Sequence, residues 1–554
     1  MRPKPARGNQ LYSLCFVSNS LTPNIAKAGL IMTASLLLSR VLGIIREMII
    51  AAMFGQGTMT DAYNYAFSIP DILFYLVAGG ALSSAFIPVF SEYLHTGKED
   101  DAWHVFSSVA TIMAIFVTAF ITLAMVFTPQ LARVVAPGLS GPDASQTYEL
   151  IAFMSRIVLP AQFAFFMGGL LFGTLYARQV FSVPGLGPNI YNIGIIFGAV
   201  VVSQFISIPV AGMSWGATIG AFLGNIIVPI WAMRKIGARY RFVIDFRHPG
   251  VRKVFRLMGP VVFGLSLPGV FALFLMTFSS YFGGDGIATA FRNSNQLMQA
   301  PLGVFGQSMA LAIFPALSQF VAQQRMDMYR DQLVKTLRTV VYLTVPISLM
   351  LLVAPGPIVA AIFQRGNFGP DDTMRTAPLL AGFAVGVPFW CLQPILMRAF
   401  FSLQNTKRPI LLGTLTTFIF LAMVGGVLAL KLPAWALAAA GSVAAIILVA
   451  MLLTAIKKDV EGLRFASLGR TAARALVAAL PGTGLFFGAF WLLERTTLAG
   501  QNLALVAVLF FAGCTSAWLY YFISKAMNMS EAAYFDRALK RRRGGKTDET
   551  PPAS

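Results

Sequence analysis

Apolar residues dominate this chain in long runs, separated by short polar segments. A helix that crosses a bilayer needs about 20 such residues. Fourteen runs reach that length: 27–54, 60–94, 104–128, 148–177, 187–206, 212–233, 255–281, 286–321, 334–363, 374–403, 409–430, 434–456, 469–493 and 501–525. The pattern predicts an all-α polytopic membrane protein with about fourteen transmembrane helices. Runs two and eight are long enough to bend. Pro70 with Gly79 and Gly80, and Pro301 with Gly303 and Gly306, supply the kink sites.

The runs repeat. Ala85-Phe86-Ile87-Pro88 resembles Ala312-Ile313-Phe314-Pro315, 227 positions on. Gly141-Pro142-Asp143 recurs as Gly369-Pro370-Asp371, Pro160 as Pro388, and Phe172-Gly173-Thr174-Leu175 as Phe400-Phe401-Ser402-Leu403, each 228 positions on. Matches in one order at nearly one offset predict two repeated six-helix lobes plus two C-terminal helices. Six spans per copy give both copies the same topology, about an axis along the membrane normal. Transporters built this way bind substrate between the lobes. The expected division is a disordered basic extension (1–22), an N-lobe (23–233), a basic linker (234–254), a C-lobe (255–456), spans thirteen and fourteen (457–528) and a disordered basic tail (529–554).

Charge sets the orientation. An even number of spans puts both termini on one side. The segment between spans six and seven holds Arg234, Lys235, Arg239, Arg241, Arg247, Arg252, Lys253 and Arg256, and other loops of that parity are also basic. The opposite side shows only Arg133, Arg365, Arg375, Lys431 and Arg495. Excess Lys and Arg marks the cytoplasmic side, so both termini are expected there. The net charge of +20 is then accounted for by topology and lipid headgroups, and no nucleic-acid partner is expected. Only 12% of residues are charged, against about 25% in an average soluble domain. Three cysteines (Cys15, Cys391, Cys514) and three histidines are scattered without metal spacing. No Walker A, HExxH or GxSxG motif is present, so neither a cofactor nor an enzymatic site is expected.

Against this background the stretch 39–47 is anomalous. Arg40, Arg46 and Glu47 lie inside an apolar run, where each charge costs roughly 2.5–3.5 kcal/mol if it faces lipid. Arg40 and Glu47, seven apart, share one helix face; Ser39, Gly43 and Arg46 share a neighbouring one. Ser39 and Gly43 have the small-xxx-small spacing that admits a close helix. The bland reading is a local Arg46–Glu47 pair or snorkelling; the sharper one is a cavity lining. Asp61 opens the second span, either as a cap with Thr58 or as a partner for an arginine or a substrate hydroxyl at the outer mouth. Arg292 is the lone cation of its apolar region, with Asn295 and Gln296 following. It is expected to face the Arg40/Arg46 cluster, and a guanidinium fork suits a pyrophosphate. Glu149 and Arg156, seven apart, are expected to pair, and Arg398 and Arg474 to snorkel.

Several of these residues carry a family resemblance. Ser39-Arg40-Val41-Leu42-Gly43, Arg46, Phe54-Gly55, Thr60-Asp61-Ala62, Pro70 and Ala85-Phe86-Ile87-Pro88 resemble the start of the MurJ/MviN lipid II flippases. These belong to the multidrug/oligosaccharidyl-lipid/polysaccharide exporter superfamily. Phe181-Ser182-Val183-Pro184, Pro188, Asn192-Ile193, Met258-Gly259-Pro260, Pro301-Leu302-Gly303-Val304 and Phe363-Gln364-Arg365-Gly366 extend the match. The resemblance implies a multi-pass flippase of the bacterial cytoplasmic membrane. It would move lipid II, or a related polyprenyl-pyrophosphate glycolipid, from the inner to the outer leaflet by alternating access. Membrane lipids and the cell-wall synthesis machinery would be its partners, and the last two spans a groove for the polyprenyl tail. Arg40, Arg46 and Arg292 are the expected pyrophosphate ligands; Ser39, Gly43, Glu47, Asp61, Asn295 and Gln296 are expected to gate or support them. The sequence also departs from the family. Phe74-Tyr75 and Gly79-Gly80 stand where an arginine pair and Glu-Gly are common, and Asn295-Gln296 where Asp-Arg is usual. The competing expectations are an exporter of another polyprenyl-linked glycan or a small drug, a non-transporting cell-wall assembly scaffold, and a membrane enzyme acting on polyprenyl phosphates.

Overall fold

The computed structural model describes residues 23–77, 81–496 and 502–532, and its regular elements are helical. The α-helices are, in order, α1 (Pro23–Phe54), α2 (Thr58–Val77), α3 (Ala81–His95), α4 (Glu99–Val126), α5 (Thr128–Val135), α6 (Ala144–Ala177), α7 (Ser182–Val200), α8 (Ala211–Phe222), α9 (Val228–Lys235), α10 (Pro249–Ser279), α11 (Ile287–Pro301), α12 (Ser308–Ala322), α13 (Met326–Val353), α14 (Pro355–Phe363), α15 (Pro370–Ala384), α16 (Val387–Ser402), α17 (Lys407–Ala429), α18 (Trp435–Asp459), α19 (Ala466–Glu494) and α20 (Asn502–Ala526). Among the described residues ten helices are long and apolar enough to cross a membrane, or eleven if α15 and α16, bent by 47°, form one span. The chain is thus a polytopic all-α membrane protein. Helices α1, α2 with α3, and α10 cover the stretches expected as spans one, two and seven, but are not among those eleven.

The bends fall where helix chemistry breaks down. Pro301 ends α11 and a π-helical segment, Leu302–Gln307, leads into α12. Proline removes an N–H from the ladder, and π turns accommodate the resulting slack. A second π segment, Leu223–Ile227, joins α8 to α9. Gly79 and Gly80 lie outside the described residues, as do Cys15, the expected extension 1–22 and most of the expected tail. Residues 529–532, assigned by sequence to that tail, are folded: Glu531 is buried and Met529 packs beside Tyr342 and Tyr520.

Two apolar cores divide the molecule. One draws its buried residues from 50–254 and Ala288; the other from 275–512 and Ala51. Helix α19 packs on α13, and α20 packs on α19 and α14, so the last two helices attach to the second core. The tightest helix contact is α7 on α8. A Cβ on Gly198 would collide with the Gly212 carbonyl oxygen, and one on Gly216 with that of Gly194. Glycines at i and i+4 on both helices thus let the two backbones touch.

The basic linker is not a free tether. Ser107 and Ser108 of α4 accept hydrogen bonds from the backbone N–H groups of Arg241 (3.1 Å) and Asp245 (2.9 Å). The Asp245 carboxylate accepts from the Arg247 backbone N–H at 2.9 Å and lies 3.2 Å from His104 Nε2. These donors hold its pKa below the usual carboxylate range. The linker is therefore strapped along α4, and Lys253 continues the strap with an ion pair to Glu92 at 2.6 Å.

The two halves meet at the other end of the bundle. Gly138 N–H donates to Ser280 Oγ at 2.9 Å, and Asn367 N–H donates to the Ala52 carbonyl at 2.8 Å. Gly138 abuts Ser280 and Tyr281 so closely that no side chain fits, and Gly366 abuts Ala52 in the same way. Gly366 stands 228 positions after Gly138, and Ser280 stands 228 after Ala52, so these are one contact made twice. Between them Thr58 donates to Asp285 at 2.8 Å, 227 positions away, and Asp61 binds Thr289, 228 away. Thr58–Asp285 and Asp61–Thr289 thus pair residues that stand one repeat interval apart.

The glycine contact gives a direct test. Gly198→Ala should destabilise the protein by about 1–3 kcal/mol through overpacking, seen as a lower unfolding temperature in detergent. Gly484→Ala, with open space around it, should leave that temperature unchanged or raise it.

Candidate functional site

Helix α1 is fixed on α7 by polar side chains one turn apart. Asn189 Nδ2 donates to Ser35 Oγ at 2.8 Å, and Ser35 Oγ donates to the Gly185 carbonyl at 2.6 Å. One turn on, Asn192 Nδ2 donates to the Ser39 carbonyl at 3.3 Å while its Oδ1 accepts from Arg46 Nη1 at 2.9 Å. The face carrying Ser39 and Arg46 therefore looks at α7. Gly43 is turned toward α11, since a Cβ there would lie 3.9 Å from Gln296 Nε2.

Glu47 is 3% exposed and takes two guanidiniums on one oxygen. Arg46 Nη2 lies 2.5 Å from Glu47 Oε1, and Arg292 Nη2, from α11, lies 3.3 Å from the same atom. The local Arg46–Glu47 pair of the bland reading does form, but it is one arm of a bridge between the halves. Arg46 Nε is buried and has no acceptor among the described residues. Arg40 is exposed. Its guanidinium lies over the π segment, so close that a Cβ on Gly303 would sit 3.5 Å from its Cζ. Arg46 and Arg292 thus meet at Glu47 from α1 and α11, whereas Arg40, expected beside them, lies apart on the π segment.

Beside Arg292 is a cavity of about 160 Å³, lined by Asn64, Ser68 and Asp71 of α2, Leu275 and Met276 of α10, and Phe291 and Asn295 of α11. Asp71 escaped the sequence reading, although it is an intramembrane carboxylate directly after Pro70. Asn189 and Asn192 were also passed over as functional; their spacing of three, facing serines four apart on α1, was the available signal. A larger cavity, about 420 Å³, lies among α16, α17, α18 and the π segment, with Arg398, Gln393 and Gln307 on an otherwise mostly apolar wall. Its Gly413 has open space, whereas Gly185, 228 positions earlier, has Ser35 against it. In the first half α1 covers that position. In the second half α10 packs mainly on α2 and α3 instead, which leaves α17 partly uncovered.

Asp61 neither caps its own helix nor meets an arginine. Its Oδ2 accepts from Gly286 N–H at 2.9 Å, and its Oδ1 accepts from Thr289 N–H at 2.8 Å and the Thr289 hydroxyl at 2.7 Å. It caps α11 from the other half, satisfying the N–H groups that a helix start leaves free. Asn64 Nδ2 adds a bond to Thr289 Oγ1 at 2.9 Å. The Thr58–Asp61 capping box is replaced by these cross-seam bonds. The expected Glu149–Arg156 pair is replaced too: Arg156 Nε donates to Thr128 Oγ1 at 2.8 Å. Arg398 lies over the Phe314 ring, 5.5 Å from its centroid. No cluster of three or more potential metal ligands occurs among the described residues.

Comparison with known proteins agrees with this architecture. The family described as "Lipid II flippase MurJ" matches residues 50–510. That interval includes Asp61 and Arg292 and begins three residues after Glu47. A "Probable lipid II flippase MurJ" of Vibrio cholerae is 28% identical over 424 residues, covering 75% of this chain and 79% of that protein. A "Lipid II flippase MurJ" of Burkholderia cenocepacia is 27% identical over 413 residues, covering 73% and 79%. Among solved structures, "Lipid II flippase MurJ, inward closed conformation" superposes with a TM-score of 0.72 at 21% identity, covering 92% of this chain and all of that one. An inward-facing multidrug resistance MATE transporter of the MOP superfamily gives 0.61 at 12% identity, covering 76% and 99%.

Two substitutions probe the charges. Glu47→Gln removes the shared anion of a buried bridge and should cost about 3–5 kcal/mol, read as a fall in unfolding temperature that Glu47→Asp partly avoids. Asp61→Ala should loosen the seam. With cysteines at positions 58 and 285, oxidative cross-linking should be efficient with Asp61 present and fall several-fold without it; equal yields would contradict the capping role.

Proposed function

The chain belongs to the lipid II flippase MurJ family, and from that premise we propose that it carries a lipid-linked peptidoglycan precursor from the inner to the outer leaflet by alternating access. The carrying observation is the bridge at Glu47, where guanidiniums from both halves share one buried carboxylate. A pyrophosphate presented at this seam offers the same acceptor geometry with more charge. Arg46 has a free Nε for it, and Arg40 stands by on the π segment. Arg40, Arg46 and Arg292 are its ligands in this reading. Glu47 holds the guanidiniums together between turnovers, and Gly43 and Gln296 set the distance between α1 and α11. Asn295, on the wall of the adjoining cavity, and Ser39, bonded to Asn192, support them. No covalent chemistry is involved.

The finer architecture belongs to the same reading. Fourteen spans form an N-lobe (23–233) and a C-lobe (255–456), joined by the linker 234–254, with spans thirteen and fourteen (457–528) beside the C-lobe as the groove for the polyprenyl tail. Two separate cores and seam contacts repeated at the interval of 227–228 residues support the lobes. The basic linker supports a cytoplasmic placement of its end of the bundle, and with it both termini, in a bacterial inner membrane. The seam bonds then lie at the outer end, and closure there directs loading from the cytoplasmic side. Opening requires Asp61 to release α11. Cell-wall synthesis enzymes at the outer face are the expected recipients.

The test is complementation of bacteria depleted of their lipid II flippase, with lipid II accumulation as the readout. The wild-type chain should restore growth and clear the accumulated precursor. Arg46→Ala and Arg292→Ala should each lose about tenfold or more in transport, the worth of a charge-assisted hydrogen bond, while Arg292→Lys should retain some of it. A stable, membrane-inserted wild type that fails to rescue would count against the substrate and favour another exported amphiphile.

A further inference from the structure

The end of the bundle that carries the linker holds a third cavity, of about 120 Å³, remote from Glu47. Arg338 of α13, Ser467, Arg470, Thr471 and Arg474 of α19, and residues 528–531 line it. Arg338 is neutralised there. Its Nε donates to Glu531 Oε1 at 2.7 Å and its Nη2 to Ser530 Oγ at 2.7 Å, and Thr471 Oγ1 also donates to the carboxylate at 3.1 Å. These bonds fasten the segment after α20 onto α13 and α19. Arg470 and Arg474 have no hydrogen bond or ion pair among the described residues. They stand at i and i+4 on one helix face, where like charges repel. Three guanidiniums against one carboxylate leave two positive charges around a space that a phosphate group fills.

The same face of α19 states what brings the phosphate. Continuing from Arg470 and Arg474 it carries Val477, 55% exposed, and then Leu480, 55% exposed. A cationic end at the membrane boundary followed by an apolar stripe matches an amphiphile lying along the helix. We propose that Arg338, Arg470 and Arg474 bind the phosphate of an anionic phospholipid whose acyl chain runs along Val477 and Leu480. The site is separate from the seam between the halves and does not depend on the transported substrate. A lipid bound there bridges α13, α19 and the segment after α20.

Native mass spectrometry of the purified full-length protein in detergent tests this, with phosphatidylglycerol, phosphatidylcholine and inorganic phosphate as separate probes. Wild type should retain phosphatidylglycerol in preference to phosphatidylcholine, and millimolar inorganic phosphate should not displace it. The double variant Arg470→Ala/Arg474→Ala should bind phosphatidylglycerol about tenfold more weakly, the loss expected for charge-assisted bonds. Its lysine counterpart, Arg470→Lys/Arg474→Lys, should fall between the two. The exposed Arg239→Ala should bind as wild type, and all variants should unfold at the wild-type temperature in lipid-free detergent. Unchanged binding by a folded double alanine variant overturns the proposal. So does equal retention of phosphatidylcholine, and displacement by inorganic phosphate assigns the site to a free anion instead.

Discussion

A single buried carboxylate organises the centre of this protein. Glu47 lies between Arg46, its neighbour on α1, and Arg292 on α11. Without an anion, the two guanidiniums would face each other across a seam with little water to screen them. At an effective dielectric of 20, unit charges 4 Å apart interact by about 4 kcal/mol, enough to separate halves held by a modest set of hydrogen bonds. Everything nearby serves to place this oxygen. Ser35, Ser39, Asn189 and Asn192 fix the rotation and depth of α1 on α7. Gly43 keeps the surface of α1 flat where α11 passes. Asp61 sets where α11 begins.

Helix α11 therefore reports on two things at once. Its first N–H groups are held by Asp61 from the opposite half, and one turn later the same helix presents Arg292 to Glu47. A rigid turn of helix joins the seal to the charge site, so a ligand that draws Arg292 away from Glu47 also pulls on the cap. Contiguous packing of this kind is a physical route for coupling. It needs no relay of side chains, because the helix itself moves. The bend at Pro301 and the following π segment separates this outer stretch of the span from α12, so α11 can shift without carrying its other half along.

The sequence displayed the features whose causes are local. Runs of twenty apolar residues become helices because a helix satisfies every backbone group within its own segment in lipid, and Pro301 with two glycines marks its own bend. Three charges in 39–47 announced a polar seam because their cost in lipid is large. Partners were less visible. Asp61 beside Thr58 has the spacing of a local cap, yet its oxygens bind N–H groups 225 and 228 residues away. Only the fold brings α2 and α11 together, and the repeat offset was the one clue that it would. Glu149 and Arg156 share a face, but Thr128 offered the arginine a nearer partner. Asp71 was overlooked because a lone carboxylate after a proline gives no spacing to compare. The linker reads as a basic tether, since bonds from its backbone to Ser107 and Ser108 leave no mark in its side chains.

Charge balance at the seam bears on how a transported anion is let go. Arg46 and Arg292 bind Glu47, Arg292 also lines the small cavity with Asp71, and Arg40 lies farther along at the π segment. Three cations against two carboxylates leave a single positive charge. In the function proposed above, a doubly ionised pyrophosphate, carrying about two negative charges, would overcompensate it and compete with Glu47 for Arg46 and Arg292. A site of three unopposed guanidiniums would hold such an anion strongly and release it slowly. Conduction through any binding site requires attraction enough for entry and weakness enough for exit. In that proposal Glu47 supplies the weakness: Arg46 and Arg292, once the ligand gives them up, have an internal acceptor waiting, so release would exchange one ion pair for another and expose no buried charge.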